Sequence, residues 1–479
     1  MRKLSLILGL WLSLSVLMAQ DAPREIWSLR ECLEYAKGQN LALRIAQLDL
    51  QNRDVVLTRE RAARLPDFNG NMNFQANFGY TINPFTNEFT SAGNQSFNFG
   101  FSSRVTLYNG GRISRRIDQA EVNQRVSELD LKQAEYNLAL NITLAYLDIL
   151  RNRELVRMAE LQVNSTEEQR NRTQKLVDAG VVPQADLLQI ESQIATDQLA
   201  LVNARNNLET AFLTLMQLLQ LDIGQRFGVE DVELEDPEDD LGALRVEDVY
   251  RQAEQEQPFI QSADLQVRSA ALGEDIARSG LLPSLSAGGS VGTGWASGRQ
   301  QRAGNQTIRD TSDLTVQLGG EFQELTVVNQ FEQPVFQEYS FPDQIRDNVN
   351  ASAFLSLNVP IYNRYQNKAA IQQAEIQQEQ ARLQALQSRQ QLQRDIQTAY
   401  VQARSALSTF QATEKQINAL RLTFQNTEKQ FNLGVVNSVD YLIAKNNLER
   451  AQNDLVQAKY NYLFRRKVLD FYRGRPIGF

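Results

Sequence analysis

Groups able to hold a cation concentrate in one place, EDVELEDPEDD at residues 230–240, with eight acids in eleven positions. The spacing fits no calcium-loop pattern and Pro237 interrupts it, so the stretch reads as a solvated linker between two halves. Histidine is absent from all 479 residues, which removes Ser–His–Asp and Cys–His arrangements, His-ligated zinc and histidine base catalysis. The single cysteine, Cys32, permits no internal disulfide and reads as a small buried apolar residue. No catalytic residue, metal or cofactor is expected. A net charge of −8 without a basic arm argues against nucleic acid as a partner. Two further carboxylates are marked by position: Asp186 closes GVVPQAD and Asp440 closes GVVNSVD.

Those two segments belong to a larger repeat. KLVDAGVVPQADLLQ (175–189) resembles KQFNLGVVNSVDYLI (429–443), and Gly180, Val181, Val182 and Asp186 recur 254 residues on, at Gly434, Val435, Val436 and Asp440. The same offset relates VTLYN (105–109) to VPIYN (359–363). Upstream, RAARLPDF (61–68) aligns with ARSGLLPSL (277–285) at a smaller offset, so the second copy carries 37 additional residues between Pro283 and Tyr362. The chain divides into repeat 1 (21–220), an acidic linker (221–245) and repeat 2 (246–479).

Each repeat has the order short helix, strand, strand, long helix, tight turn, short helix. Ser28 and Glu31 form a capping box that starts a helix running to about Arg64. Long helical patterns cover about 112–177 and 363–432, and shorter ones 184–220, 246–280 and 438–470. Two short helices end to end equal the long one, roughly 100 Å at 1.5 Å per residue. Helices of this length with a narrow apolar seam belong to coiled coils. The Gln-rich run 372–393 keeps helical spacing and reads as a solvated or lumen-facing surface.

Between the helices lie four segments of period-2 alternation: 67–80, 96–108, 284–296 and 350–361. Phe68, Phe74, Phe78, Phe97, Phe99, Phe101, Leu355 and Leu357 fall on one face, with Asn, Gln, Ser and Gly opposite. Each segment is close to the ~9–11 residues that a tilted membrane strand needs, and Tyr80, Trp295, Tyr108 and Tyr362 supply aromatic flanks. A basic Met1-Arg2-Lys3, an apolar Leu4–Leu17 and a small Ala19 read as a signal peptide (1–20), placing the mature chain beyond the inner membrane. Four strands cannot close a barrel, and open edges in hydrocarbon are forbidden, so identical copies must complete it. Pro66, Pro283, Pro360 and Gly110-Gly111 punctuate the strand–helix junctions. Residues 298–349 read as a long polar loop. The rival readings are a periplasmic coiled-coil structural protein with a soluble cap, and a constitutively open porin.

Twofold repetition of helix–strand–strand–helix–turn–helix, with GVVPQAD and GVVNSVD at the turns, resembles the TolC-like outer membrane efflux proteins (outer membrane factors) over about residues 28–470. The resemblance implies a fold that is mainly α with membrane β: a homotrimer with a 12-stranded β-barrel in outer-membrane lipid, continuous with a periplasmic α-helical barrel. It implies the exit duct of a tripartite efflux or type I secretion system in a Gram-negative bacterium, engaged by a periplasmic adaptor (membrane fusion) protein and an inner-membrane pump. It places the adaptor contact at Gly180, Val181, Val182 and Pro183 and at Gly434, Val435, Val436 and Asn437. Asp186 and Asp440 match the carboxylates of the periplasmic aperture. Val436 stands where the best-known member has a gate arginine, and Ile443 where it has a second aspartate. An apolar gate with one carboxylate layer per repeat is therefore expected.

Overall fold

The computed structural model describes residues 25–475 apart from 80, 83–86, 88, 91–92, 223–226, 233–240 and 243. The signal peptide, Tyr80, most of the acidic run and Phe479 lie outside the described residues. In chain order the first elements are β1 (Glu25–Trp27), α1 (Leu29–Gln39), α2 (Leu41–Ala62), β2 (Asn69–Asn77), β3 (Thr81–Ile82), β4 (Phe89–Thr90) and β5 (Asn94–Tyr108). Then come α3 (Arg112–Asp178), α4 (Gln184–Leu219), β6 (Phe227–Val229), α5 (Val246–Glu256) and α6 (Pro258–Arg278). The remainder is β7 (Ser284–Ala296), β8 (Gln300–Leu318), β9 (Glu321–Glu338), α7 (Phe341–Asp347), β10 (Asn350–Asn358), α8 (Gln366–Asn432) and α9 (Ser438–Tyr472).

Two compact units result, one from residues up to Leu57, Gln119–Ala271 and from Ala374 onward, the other from Thr58–Asp118 and Leu272–Gln373. α3 and α8, each 67 residues long, contribute most of their length to the first. Along α8 the buried positions Leu392, Ile396, Ala399, Ala403, Ala406, Phe410, Thr413 and Ile417 alternate spacings of four and three, the 3.5-residue period of a coiled-coil seam. Around α3, Ile142, Tyr146 and Ile149 are fully buried with Cys32, Leu215 and Leu219. Burial pushes the Cys32 thiol up to about 12, so it is an inert packing residue.

The helix expected to run unbroken from Ser28 to Arg64 is two helices. The capping box is present, but the Asn40 N–H closes α1 on the Ala36 carbonyl while its side chain accepts from the Ala42 and Leu43 N–H groups. One residue thus caps both ends, as asparagine does well. Repeat 2 breaks at Gln257-Pro258, where proline takes the first helical position and Gln257 donates from Nε2 to the Phe471 carbonyl at 3.2 Å. The supposed linker also holds β6, which pairs in parallel with β1, the Trp27 and Phe227 rings of the two strands meeting edge to face at 5.2 Å. Three-residue strands are too short to leave a periodic signal.

In the second unit four strands form one antiparallel sheet in the order β10-β7-β5-β2. β7 covers the expected 284–296, whereas β2 and β10 stop short of the expected 67–80 and 350–361, and β5 begins two residues early. Phe68 and Phe78 therefore flank β2. At the exit of β5, Gly110 has φ 69° and Gly111 φ 78°. A Cβ on Gly110 would stand 2.7 Å from Leu282 Cβ, so a side chain is excluded twice over, by conformation and by space. Arg364 (φ 53°) and Tyr365 (φ 71°), 254 residues on, hold the same left-handed pair without glycine. The expected loop 298–349 is instead a paired ribbon, β8–β9, with a two-residue Gly319-Gly320 turn at positive φ, followed by α7. The double glycine was the overlooked signal.

Candidate functional site

The sheet register collects one kind of side chain on each face. Met72 faces Phe99, Phe74 faces Phe97, and Phe101 faces Val291, while Ala287 and Leu285 face Leu355 and Leu357. Phe74 is 60% exposed and Leu355 68%. Phe68, although outside the strand, stacks on Phe101 at 5.4 Å. On the other face Asn71, Asn73 and Gln75 run beside Asn98 and Ser102, and Ser290 and Ser352 share a 2.9 Å hydrogen bond. Gly288 makes room there for Phe354, over which the Arg104 guanidinium sits at 5.8 Å. Arg104 and Phe354 were not singled out from sequence; both are exceptions to an otherwise small, neutral, polar surface. The outer edges of β2 and β10 have no strand partner among the described residues. No helix among those residues is long and apolar enough to cross a membrane.

The turns Ala179–Pro183 and Leu433–Asn437 have one geometry. Gly180 and Gly434 each have φ 73°, and each following valine N–H reaches back to close a Schellman motif: Val181 to the Leu176 carbonyl, Val435 to that of Gln430, both at 2.9 Å. Val181, Leu433 and Val435 are strongly exposed, Val182 and Val436 half-buried, and Pro183 and Asn437 exposed. The two aspartates part company. Asp186 is half-buried and accepts a 2.8 Å hydrogen bond from the Ser438 hydroxyl of the other repeat. Asp440 stays exposed, and it is its backbone N–H that is held, by the Asn437 side chain that caps α9. Ile443 is exposed.

Behind the turns is a polar cluster that the sequence reading passed over. Lys445, 4% exposed, lies 3.5 Å from Glu449 and donates to the Thr166 hydroxyl, which donates in turn to Asp197 Oδ2. Gln193 donates to Asp197 Oδ1 at 2.8 Å. Burial is the largest influence on Glu449 and pushes its carboxyl up to about 7, against the pull of Lys445. The cluster ties α3, α4 and α9 together. Its signal was available: Asp197 fills a seam position between the apolar residues 194 and 201. Above it Tyr441 is buried between Phe424 and Phe431, which raises its hydroxyl to about 12.

A strand set that is apolar on one face and amide-rich on the other, in a chain of very long coiled-coil helices joined by Gly-capped turns, defines the protomer of a TolC-like channel. The chain matches the model of the outer membrane efflux protein family over residues 32–220 and 249–475, and it belongs to that family. It is 22% identical over 450 residues to outer membrane efflux protein BepC of Brucella suis biovar 1, covering 94% of this chain and 85% of that one. Among solved structures it is similar to the CmeC outer membrane channel of Campylobacter jejuni (TM-score 0.72, 15% identity, 94% and 86% of the two chains covered). It is also similar to the MtrE outer membrane channel of Neisseria gonorrhoeae in its open state (TM-score 0.68, 19% identity, 94% and 88% covered).

Proposed function

We propose that three copies close a 12-stranded barrel in the outer membrane and that the helical unit forms the periplasmic part of one exit duct. The observation that carries this is the sheet itself: an apolar face left exposed, and two outer edges that hydrocarbon would not tolerate unpaired. The strands alternate in direction, so β10 of one copy meets β2 of the next in the antiparallel sense that continues the sheet. Phe74, Phe97, Phe99, Phe101, Leu355 and Leu357 then face lipid, and Asn71, Asn73, Gln75 and Arg104 face water.

The duct is passive and performs no catalysis; energy comes from an inner-membrane pump acting through a periplasmic adaptor. The exposed valines of the Gly180 and Gly434 turns offer that adaptor apolar anchors on rigid, capped helix ends. Asp440, free of the contact that holds Asp186, supplies the carboxylate ring of the aperture. Native mass in mild detergent after membrane fractionation tests the assembly. A membrane-bound species of three times the protomer mass is expected; a soluble monomer refutes it.

A further inference from the structure

The β8–β9 ribbon is where repeat 2 departs most from repeat 1, and it is unusual in its own right. Eighteen residue pairs run from Gln300↔Glu338 to Leu318↔Glu321, roughly 60 Å at ~3.4 Å per residue. No third strand joins either edge among the described residues. A lone two-stranded ribbon is marginal in water, and this one has a one-sided surface. The register puts Ile308, Leu314, Val316, Val327, Phe331 and Val335 on one face, interspersed with Gln306, Asp310, Ser312, Asn329 and Gln333. Leu314 and Phe331 are half exposed in the single chain. The other face carries Arg309, Asp313, Thr326 and Glu332, with Val328 exposed among them. Such a face calls for a cover.

Two candidates for that cover fail. Acyl chains are excluded because both ribbon edges would carry unpaired backbone groups into hydrocarbon. A phosphate-rich headgroup layer is disfavoured because residues 300–338 hold six acids against Arg302 and Arg309. The foot of the ribbon points to a third. Gln344, buried to 1%, donates to the carbonyls of Ala296 and Tyr339 and accepts from the Ala296 N–H, while Asn348 donates to the Gly294 carbonyl. Phe341 packs on Trp295 and Phe97. The segment α7 at the foot of the ribbon is therefore clamped to the end of β7 near Ala296, and it links the descending arm of the ribbon to β10, the edge strand where the next copy joins in the trimer.

We propose that the cover is further copies of this chain: beyond the membrane the three ribbons turn their apolar faces toward the threefold axis and pack against one another as a collar at the channel mouth. This rests on the trimer reading above and adds to it a contact outside the barrel. It also gives the 37 additional residues of repeat 2 an assembly role.

Single-cysteine cross-linking of the full chain tests it. Native Cys32 is buried and stays as it is. Phe331→Cys and, independently, Val327→Cys are placed on the apolar face, and Gln330→Cys on the polar face, and purified protein is treated with a short bismaleimide. The expected result is one covalent dimer in most Phe331→Cys and Val327→Cys trimers, the most that a single reactive thiol per chain allows, with Gln330→Cys at least several-fold lower. A ribbon-deleted chain, with 304–335 replaced by Gly-Gly, is expected to keep the native trimer mass. Intact trimers in which the apolar-face cysteines react no more than Gln330→Cys overturn the collar and leave the barrel standing. Loss of trimers from the wild-type chain itself overturns the barrel reading on which the collar rests.

Discussion

Glu449 is carried by the helical unit at a cost, and Glu449→Gln removes that cost. The carboxyl is 17% exposed, 3.5 Å from Lys445 and within the field of Asp197. Burial wins over the lysine and lifts it from 4.5 to about 7. A shift of about 2.5 pH units at ~1.36 kcal/mol each is about 3 kcal/mol. The sign follows from the raised folded value: the favourable balance is fully present below about pH 4.5, declines between 4.5 and 7, and is gone above 7, so stability falls as pH rises. Glutamine imitates the protonated form at every pH. Unfolding entropy of ~2.1 cal/mol/K per residue over 479 residues makes about 1 kcal/mol/K, so the effect is about 3 °C in melting temperature. Thermal melts by circular dichroism in detergent from about pH 5 to 8 read it directly. Wild type and Glu449→Gln are expected to coincide within a degree near pH 5 and to separate by about 3 °C near pH 8, with the variant the more stable. Parallel curves across that range refute the argument that burial dominates this site.

Three other outcomes are expected. Phe74→Arg or Leu355→Arg, each placing a cation on the exposed apolar face, costs roughly 2–4 kcal/mol per site and abolishes outer-membrane trimers; normal trimers in fractionated membranes contradict the face assignment. Gly110→Ala lowers the melting temperature well beyond Gly111→Ala, because the first meets Leu282 Cβ at 2.7 Å and the second only the movable Arg115 guanidinium at 3.3 Å; equal effects remove the steric argument. Asp440→Ala reduces cation preference in planar bilayers more than Asp186→Ala does, since Asp186 is engaged by Ser438; Arg104→Gln shifts reversal potentials the opposite way. Identical selectivity in all three variants removes these side chains from the conduction path.

Much of the fold was legible because its signals are long and periodic. Sixty-residue helical patterns and four alternating segments exceed any accidental run, and an internal repeat lets each copy check the other. The breaks at Asn40 and Gln257 escaped notice because a cap and a helix-interior polar residue look alike until the side chain's partner is known. The ribbon escaped because its faces carry enough Gln, Thr and Glu to resemble a solvated loop, and only pairing sorts them.

At the functional positions the division is sharper. Residue type and spacing alone determined that Gly180 and Gly434 end their helices and that Phe74 and Leu355 share a face type: these follow from backbone sterics and period, which are local. Tertiary structure alone decided that Asp186 and Asp440 differ, that Thr166, Asp197, Lys445 and Glu449 meet, and that Arg104 lies over Phe354. Those facts depend on which groups come into contact across tens to hundreds of residues in sequence, and the strength of each electrostatic contact depends on how much water its neighbours exclude.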